Sequence, residues 1–163
     1  MKTITRSNIY LPIAAMILTA AVAVPAAAQK QVPFKGTMQG VDQDTAFTPT
    51  TVSVTTKGTG IATQLGQFSF RLDNTVTFAT GTSAGSATFM AANGDSIFAT
   101  VTGSGEFIAP HIISIMETYT ITGGTGRFAG AQGTFIMERM ASPVTFMTSG
   151  SFLGSITSPG AAK

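Results

Sequence analysis

The stretch "TYTITGGTGRFAGAQGTF", residues 118–135, contains the glycine cluster on which the fold assignment depends. Residues 124–129 fit the loose dinucleotide-binding pattern G-x-G-x-x-G/A, which functions only where a strand passes into a helix. The sequence after the glycines alternates instead, with Phe135, Met137 and Arg139 on one face, and no G-K-[ST] phosphate loop is present. We therefore predict a tight connection between two antiparallel strands, in which glycines supply backbone conformations that other residues rarely adopt.

The same period-two alternation recurs on both sides of this stretch. Segments such as "QFSFRL" and "TVSVTT" place apolar residues at every second position, and Asn93-Gly94 separates two alternating runs in the manner of a β-hairpin. Eight or nine short strands between Val32 and Ile156, without a helical segment, predict an all-β sandwich or barrel. Closure into a barrel would remove exposed edges, while "VDQDTAFTPT" at 41–50 is predicted to be a loop.

The two ends of the chain differ in composition from this region. Residues 1–28 begin with Lys2 and Arg6, continue with an apolar run at 11–24 and end in Ala-Ala-Ala, the order typical of a secretory signal peptide. The run is shorter than the roughly 20 residues that span a bilayer. We predict cleavage after Ala28, a single barrel domain at 29–156, a flexible tail at 157–163, and a periplasmic or secreted protein without a membrane span.

Charge and residue usage exclude several functions. The nine Lys and Arg residues less Lys2 and Arg6 leave seven, which equals the seven Asp and Glu residues, and the basic residues are scattered. This pattern argues against nucleic-acid binding, which needs clustered Lys and Arg. The chain has no cysteine and a single histidine, so thiolate catalysis and two-histidine metal sites are excluded, and no cofactor is predicted.

The glycine stretch also carries a family resemblance. "YTITGGTGRFAGAQG" resembles the turn of the allene oxide cyclase and dirigent-like barrels, with structural turn positions at Gly123, Gly124, Gly126, Phe128 and Gly130. With "GTGIATQLGQFSF" and "ATFMAANGDSIFATVTG", residues 58–156 are similar to a group of bacterial exported proteins that share the ITGGTGRFAGAxG motif. The resemblance implies an eight-stranded antiparallel barrel and a possible homotrimer.

The resemblance does not carry over catalytic residues. Plant allene oxide cyclases use a carboxylate on an early strand and a cysteine in the cavity, whereas this chain lacks cysteine and its predicted first strand, "VPFKGTMQG", has no acid. The charged motifs of dirigent proteins have no counterpart either. The resemblance therefore indicates a fold and leaves the activity open.

Three residues are the candidates for binding a ligand. Glu117 and Tyr119 share a strand face with Ile113, Ile115 and Ile121, and Arg139 lies on what should be the next strand. A carboxylate on an apolar face is costly unless it is paired, so Glu117 and Arg139 are expected to approach each other. They would either orient a ligand inside the barrel or form a structural ion pair, unless this face points outward.

Other residues give weaker indications of chemistry. His111 follows Pro110 at a loop or strand start, and Ser83 in "GTSAG" matches the hydrolase spacing G-x-S-x-G without its strand–turn–helix context. Asp42 and Asp44 lack the spaced ligands of a calcium loop and are interpreted as solvated.

Three functions remain open from the sequence. The first is an exported barrel that binds an apolar small molecule, since barrels of this size either fill with side chains or hold one ligand. The second is an isomerase of an oxidised lipid, with Glu117 as its polar group. The third is a structural or interaction protein of the cell envelope with a filled barrel.

Overall fold

The computed structural model describes residues 30–160, so the predicted signal peptide at 1–28 lies outside the described residues. Eight strands follow one another along the chain, and each pairs antiparallel with the next. They are β1 (Gln31–Phe47), β2 (Thr51–Ala62), β3 (Gly66–Thr77), β4 (Thr82–Ala91), β5 (Ser96–Ala109), β6 (Ile112–Gly124), β7 (Gly133–Ala141) and β8 (Met147–Thr157). Because β8 also pairs with β1, the sheet closes, which confirms the predicted eight-stranded antiparallel barrel.

The glycine stretch connects β6 to β7, as predicted. Between these strands the chain makes one 3-10 turn at Gly126–Phe128, and no α-helix follows. Gly126 has a φ of 55°, and a Cβ atom there would collide with the carboxylate of Asp95. The position thus favours glycine for two reasons, and the dinucleotide-binding interpretation is wrong because its helix is missing.

One prediction about the first strand is wrong. Residues 41–47 are not a loop, since β1 continues to Phe47 and pairs with β2, with a bulge between Asp44 and Ala46. Polar residues occur there because this part of the strand faces solvent and a cavity rather than packed side chains. Of the predicted tail at 157–163, Thr157 is the last residue of β8, and the backbone N–H of Gly160 donates to the carbonyl of Arg127, whereas residues 161–163 lie outside the described residues.

The barrel interior has two unlike halves. The closed end carries the turns at 63–65, 92–95 and 125–132, and the open end carries those at 48–50, 78–81, 110–111 and 142–146. Aromatic rings fill the closed half in mutual contact, for example Tyr119 on Phe135 with centroids 4.6 Å apart. Each such ring buries roughly 150–250 Å². The rings of this core belong to Phe34, Phe68, Phe70, Phe89, Tyr119, Phe128, Phe135 and Phe152.

Candidate functional site

A buried ion pair lies in the middle of the barrel, above the aromatic core. Glu117 on β6 and Arg139 on β7 both point inward, and they are 1% and 7% exposed. The guanidinium binds the carboxylate through two nitrogens, with Nε 3.0 Å from Oε2 and Nη2 3.1 Å from Oε1. This two-point geometry is the strongest arrangement available to an Arg–carboxylate pair.

The carboxylate of Glu117 is fully occupied by donors. Besides Arg139, the Asn74 side-chain N–H donates to Oε1 at 3.0 Å, and the Tyr119 hydroxyl donates to Oε2 at 2.9 Å. Each oxygen therefore accepts two hydrogen bonds, which uses the two lone pairs that a carboxylate oxygen offers. Such full satisfaction is what makes a buried charge tolerable.

The network extends from Arg139 towards β1. Its third nitrogen, Nη1, donates to Thr148 Oγ1 at 3.0 Å and to Asp42 Oδ2 at 3.5 Å, while Thr56 donates to Asp42 Oδ1 at 2.6 Å. Burial works against the charged guanidinium, but the attraction and hydrogen bonds of Glu117 outweigh it and raise the pKa of Arg139. The guanidinium therefore remains a cation with no free nitrogen.

Glycines on the neighbouring strands provide the space for these polar side chains. Gly103 on β5 lies opposite Glu117, and Gly85 on β4 lies opposite Asn74. A Cβ atom at Gly85 would collide with the Oδ1 of Asn74, and one at Gly103 would collide with Glu117. Glu117 and Asn74 therefore fit inside the barrel because the residue opposite each of them is a glycine.

Above the network the barrel encloses a cavity of about 410 Å³ that opens at the open end. Its walls are mostly apolar, and its charged residues are Asp42, Asp44, Glu117 and Arg139. The wall residues that reach it from the strands are Val52, Val54, Val76, Ile113, Ile115 and Ala141. The arrangement is an apolar chamber with a charged floor, which suits a ligand that has both an apolar and a polar part.

A second and larger depression, of about 1020 Å³, lies against the outer face of β1–β4. None of its lining residues carries a charge, and its wall includes Thr37, Gln39, Thr59, Gln67 and Ser69. It has no convergent group of buried polar atoms that would orient a ligand. The interior cavity is therefore the better candidate site, although it is the smaller of the two.

The structure brings Glu117 and Arg139 together as the sequence predicted. The hypothesis of an outward-facing Glu117 is wrong, whereas a ligand-binding role for Glu117, Tyr119 and Arg139 stays a prediction. Tyr119 does not line the cavity, because its ring belongs to the aromatic core and only its hydroxyl reaches the network.

Sequence reasoning missed two members of the site. Asn74 stands in phase with Phe70 and Leu72 on β3, so the alternation itself marks it as an inward-pointing polar residue. Asp42 stands in phase with Met38 on β1, but it was assigned to a loop. The extension of β1 means that the first strand does carry an acid, contrary to the sequence-based expectation.

The remaining candidates do not form a catalytic or metal site. Ser83 lies within β4 on the cavity wall, without the turn and helix of a hydrolase nucleophile, and His111 is exposed in the turn between β5 and β6 with a φ of 64°. Within residues 30–160, no group of three or more His, Cys, Asp and Glu residues is arranged to hold a metal ion.

Comparison with known proteins adds no assignment. No protein-family model matches the chain, and no curated protein matches it. Over the same described residues, the structure contains no helix of sufficient length and apolarity to span a membrane.

Proposed function

We propose that the protein binds one apolar small molecule in the open-end cavity. The observation that carries this proposal is an unfilled chamber of about 410 Å³ with apolar walls above a fully hydrogen-bonded charged floor. Ligand sites typically enclose about 300–1,000 Å³ and combine apolar walls with a few fixed polar groups. The closed half supports such a site because its packed rings hold the floor rigidly.

Binding is favoured over isomerisation by the state of Glu117. A general acid or base must have a lone pair or proton directed at the substrate. Here the carboxylate already accepts four hydrogen bonds, from Asn74, Tyr119 and two nitrogens of Arg139. An envelope protein with a filled barrel is likewise disfavoured, since side chains fill only the closed half.

We further propose that the chain is an exported member of the allene oxide cyclase and dirigent-like barrels. The closed eight-stranded barrel supports this family placement, and the pattern of residues 1–28 supports export. Export predicts a mature protein that begins at Gln29, in the periplasm or outside the cell. A homotrimer is part of the same proposal.

The binding proposal is tested with a fluorescent apolar probe, N-phenyl-1-naphthylamine, whose emission rises in apolar surroundings. Val54→Phe places a ring in the cavity, and Leu153→Phe adds the same ring on the exposed outer face of β8 as a control. We expect Val54→Phe to weaken probe binding at least about tenfold, because an aromatic ring removes much of the free volume. Equal binding by both variants would place the probe elsewhere and contradict the proposal.

Native mass spectrometry of the purified protein tests the remaining points together. A reproducible added mass that is lost on denaturation would identify a bound ligand. The protein mass itself reports whether the chain starts at Gln29, and the complex mass reports whether it forms a trimer. A chain that retains residues 1–28 after export would refute the predicted cleavage.

A further inference from the structure

The charges that line the cavity are unequal in number and in availability. Three carboxylates, from Asp42, Asp44 and Glu117, face one guanidinium, from Arg139, so the formal charge of the lining is 1 − 3 = −2. Glu117 and Arg139 neutralise each other in the two-point pair. The excess negative charge therefore belongs to the two aspartates of β1, above the floor.

The guanidinium of Arg139, which lines the cavity, has little capacity left for an anionic ligand. Four of its five N–H groups already donate, to Glu117, Thr148 or Asp42, which leaves one N–H of Nη2. A carboxylate headgroup that entered the cavity would exchange its water for at most one N–H of a guanidinium that Glu117 already neutralises, and it would meet two aspartates. We therefore expect the cavity to bind fatty-acid anions weakly, although its walls are apolar.

The aspartates remain available to a positive group. Asp42 keeps 15% of its side chain exposed in spite of its bonds to Thr56 and Arg139, and its nearest guanidinium nitrogen is as far as 3.5 Å away. Asp44 is exposed next to the bulge that ends the regular part of β1. These two carboxylates lie two residues apart on the inward face, so both lie on the path from the opening to the floor.

A separate observation also indicates a ligand that donates hydrogen bonds. The Oδ1 of Asn74, a residue 6% exposed that lines the cavity, is buried and has no donor among the described residues. A buried acceptor without a donor is destabilising, because it has lost its hydrogen bonds to water without replacing them. A donor group bound beside Asn74 would relieve this cost once the amide turns its Oδ1 towards the cavity, whereas a carboxylate could not.

The opening of the cavity is suited to a cation with an apolar chain. Four phenylalanines line it there, and each is between 44% and 69% exposed. Aromatic faces attract ammonium groups and also pack against alkyl chains. We call these side chains the phenylalanine rim: Phe47, Phe78, Phe107 and Phe146.

We propose that the ligand is a cationic amphiphile, an alkylammonium whose positive end binds at Asp42 and Asp44 and whose chain lies against the apolar wall and the phenylalanine rim. This inference rests on the proposed binding function and adds a positively charged end to the apolar ligand. It reverses the simplest expectation for an apolar cavity with an arginine in its floor, namely a fatty acid.

Three probes of equal chain length test the proposal by calorimetric titration of the purified protein at pH 7. They are decylammonium, 1-decanol and decanoate, which present a positive, a neutral and a negative end. We expect decylammonium to bind at least about tenfold more tightly than decanoate, with 1-decanol between them, and the preference to shrink as salt is added. Equal binding of all three, or tightest binding of decanoate, would overturn the cationic preference and leave the binding function intact. Binding of none would remove both.

Variants locate the effect. Asp44→Asn and Asp42→Asn should each weaken decylammonium binding several-fold and leave 1-decanol binding unchanged. Asp44 is exposed, so its variant tests the proposal even if loss of the Asp42 carboxylate disturbs Arg139. Asp73→Asn, on the outer face of β3, is the matched control and should change neither affinity. An equal loss of decylammonium binding in the Asp73 variant would show that the effect comes from net charge alone.

Discussion

Gly103 faces Glu117 directly across the β5–β6 pair, and a Cβ atom at Gly103 would lie 2.6 Å from the Cγ of Glu117. The same Cβ would lie 2.7 Å from the backbone carbonyl oxygen of Met116. Backbone atoms cannot move aside as the end of a flexible side chain can. The buried acid therefore depends on the missing side chain of its neighbour.

We expect Gly103→Ala to lower the free energy of unfolding by about 1–3 kcal/mol, which is the usual cost of overpacking. Gly105→Ala is the matched control on the same strand, because its Cβ would lie 3.2 Å from the Cγ2 of Ile113 and the Cγ1 of Ile115, which are side-chain atoms and can shift. Urea unfolding measures both. A control that loses as much stability as Gly103→Ala would show that the cost is not specific to Glu117.

Removal of the cation of the buried pair should be costly. We expect Arg139→Met to lower the free energy of unfolding by about 3–5 kcal/mol, because it leaves the carboxylate of Glu117 buried without a counter-charge. The double variant with Glu117→Gln should recover part of this loss, since a neutral amide needs no counter-charge and can accept from Asn74 through its oxygen while its NH2 group donates to the Tyr119 hydroxyl. Simple addition of the two single losses would mean that the charges are not coupled.

We expect the free energy of unfolding to fall at high pH, in part because of the buried phenol of Tyr119. Burial first, and then the negative charge of Glu117, raise the pKa of the Tyr119 phenol well above its ordinary value of about 10. The unfolded chain loses this proton near pH 10 and the folded protein does not. The contribution to stability is therefore complete below about pH 10 and is lost as the pH rises through the folded pKa.

Near-ultraviolet absorbance of the phenolate measures this titration. The chain has a second tyrosine, Tyr10, so the signal of Tyr119 is the difference between the protein and its Tyr119→Phe variant. We expect this difference to appear only when the barrel unfolds. A reversible phenolate transition near pH 10 in the folded protein would contradict the buried, hydrogen-bonded state.

The stability of the protein at acid pH depends in part on an ion pair on the outer face of β3, between Arg71 and Asp73. The hydrogen bond from Arg71 is the main reason that the pKa of Asp73 is lowered, with a further contribution from Thr55. This stability is present above the unfolded Asp pKa of about 4 and is lost as the pH falls through the folded pKa. Both side chains of the pair are about half exposed, so the effect is small and decreases with salt.

Asp73→Asn tests this dependence. The variant should be slightly less stable than the protein at pH 7, and the difference should disappear as the pH falls below 4. Denaturant unfolding at several pH values and two salt concentrations provides the measurement. A difference that stays constant with pH would assign the loss to the hydrogen bond of Thr55 rather than to the charge.

The barrel was predictable because each strand and turn is marked by a local sequence pattern. Alternation of Phe68, Phe70 and Leu72, and the turns at Gly94 and Gly126, describe local chemistry that depends on nearby residues. The end of β1 lacks this signal. Its inward side chains at Asp42 and Asp44 border the cavity, so no packed partner requires them to be apolar.

The site was predictable only in part, for a related reason. A charge at Glu117 among apolar neighbours calls for a partner, and Arg139 was in phase on the adjacent strand. The third neighbour, Asn74, comes from β3, which reaches the pair across the barrel rather than through the ladder. The closure of the barrel and the stagger of its strands decide which side chains meet across the interior. The alternation within one strand gives no information about either.

The pairing of β1 with β8 also sets an order of events during folding. Gln31 lies in register with Thr157, so the first strand stays without one of its neighbours until the last strand has been made. Bringing such distant segments together is entropically slow, and barrels with distant pairings fold slowly for this reason. Until synthesis is complete, the chain therefore exposes an unpaired edge and the cavity has no enclosing wall on that side.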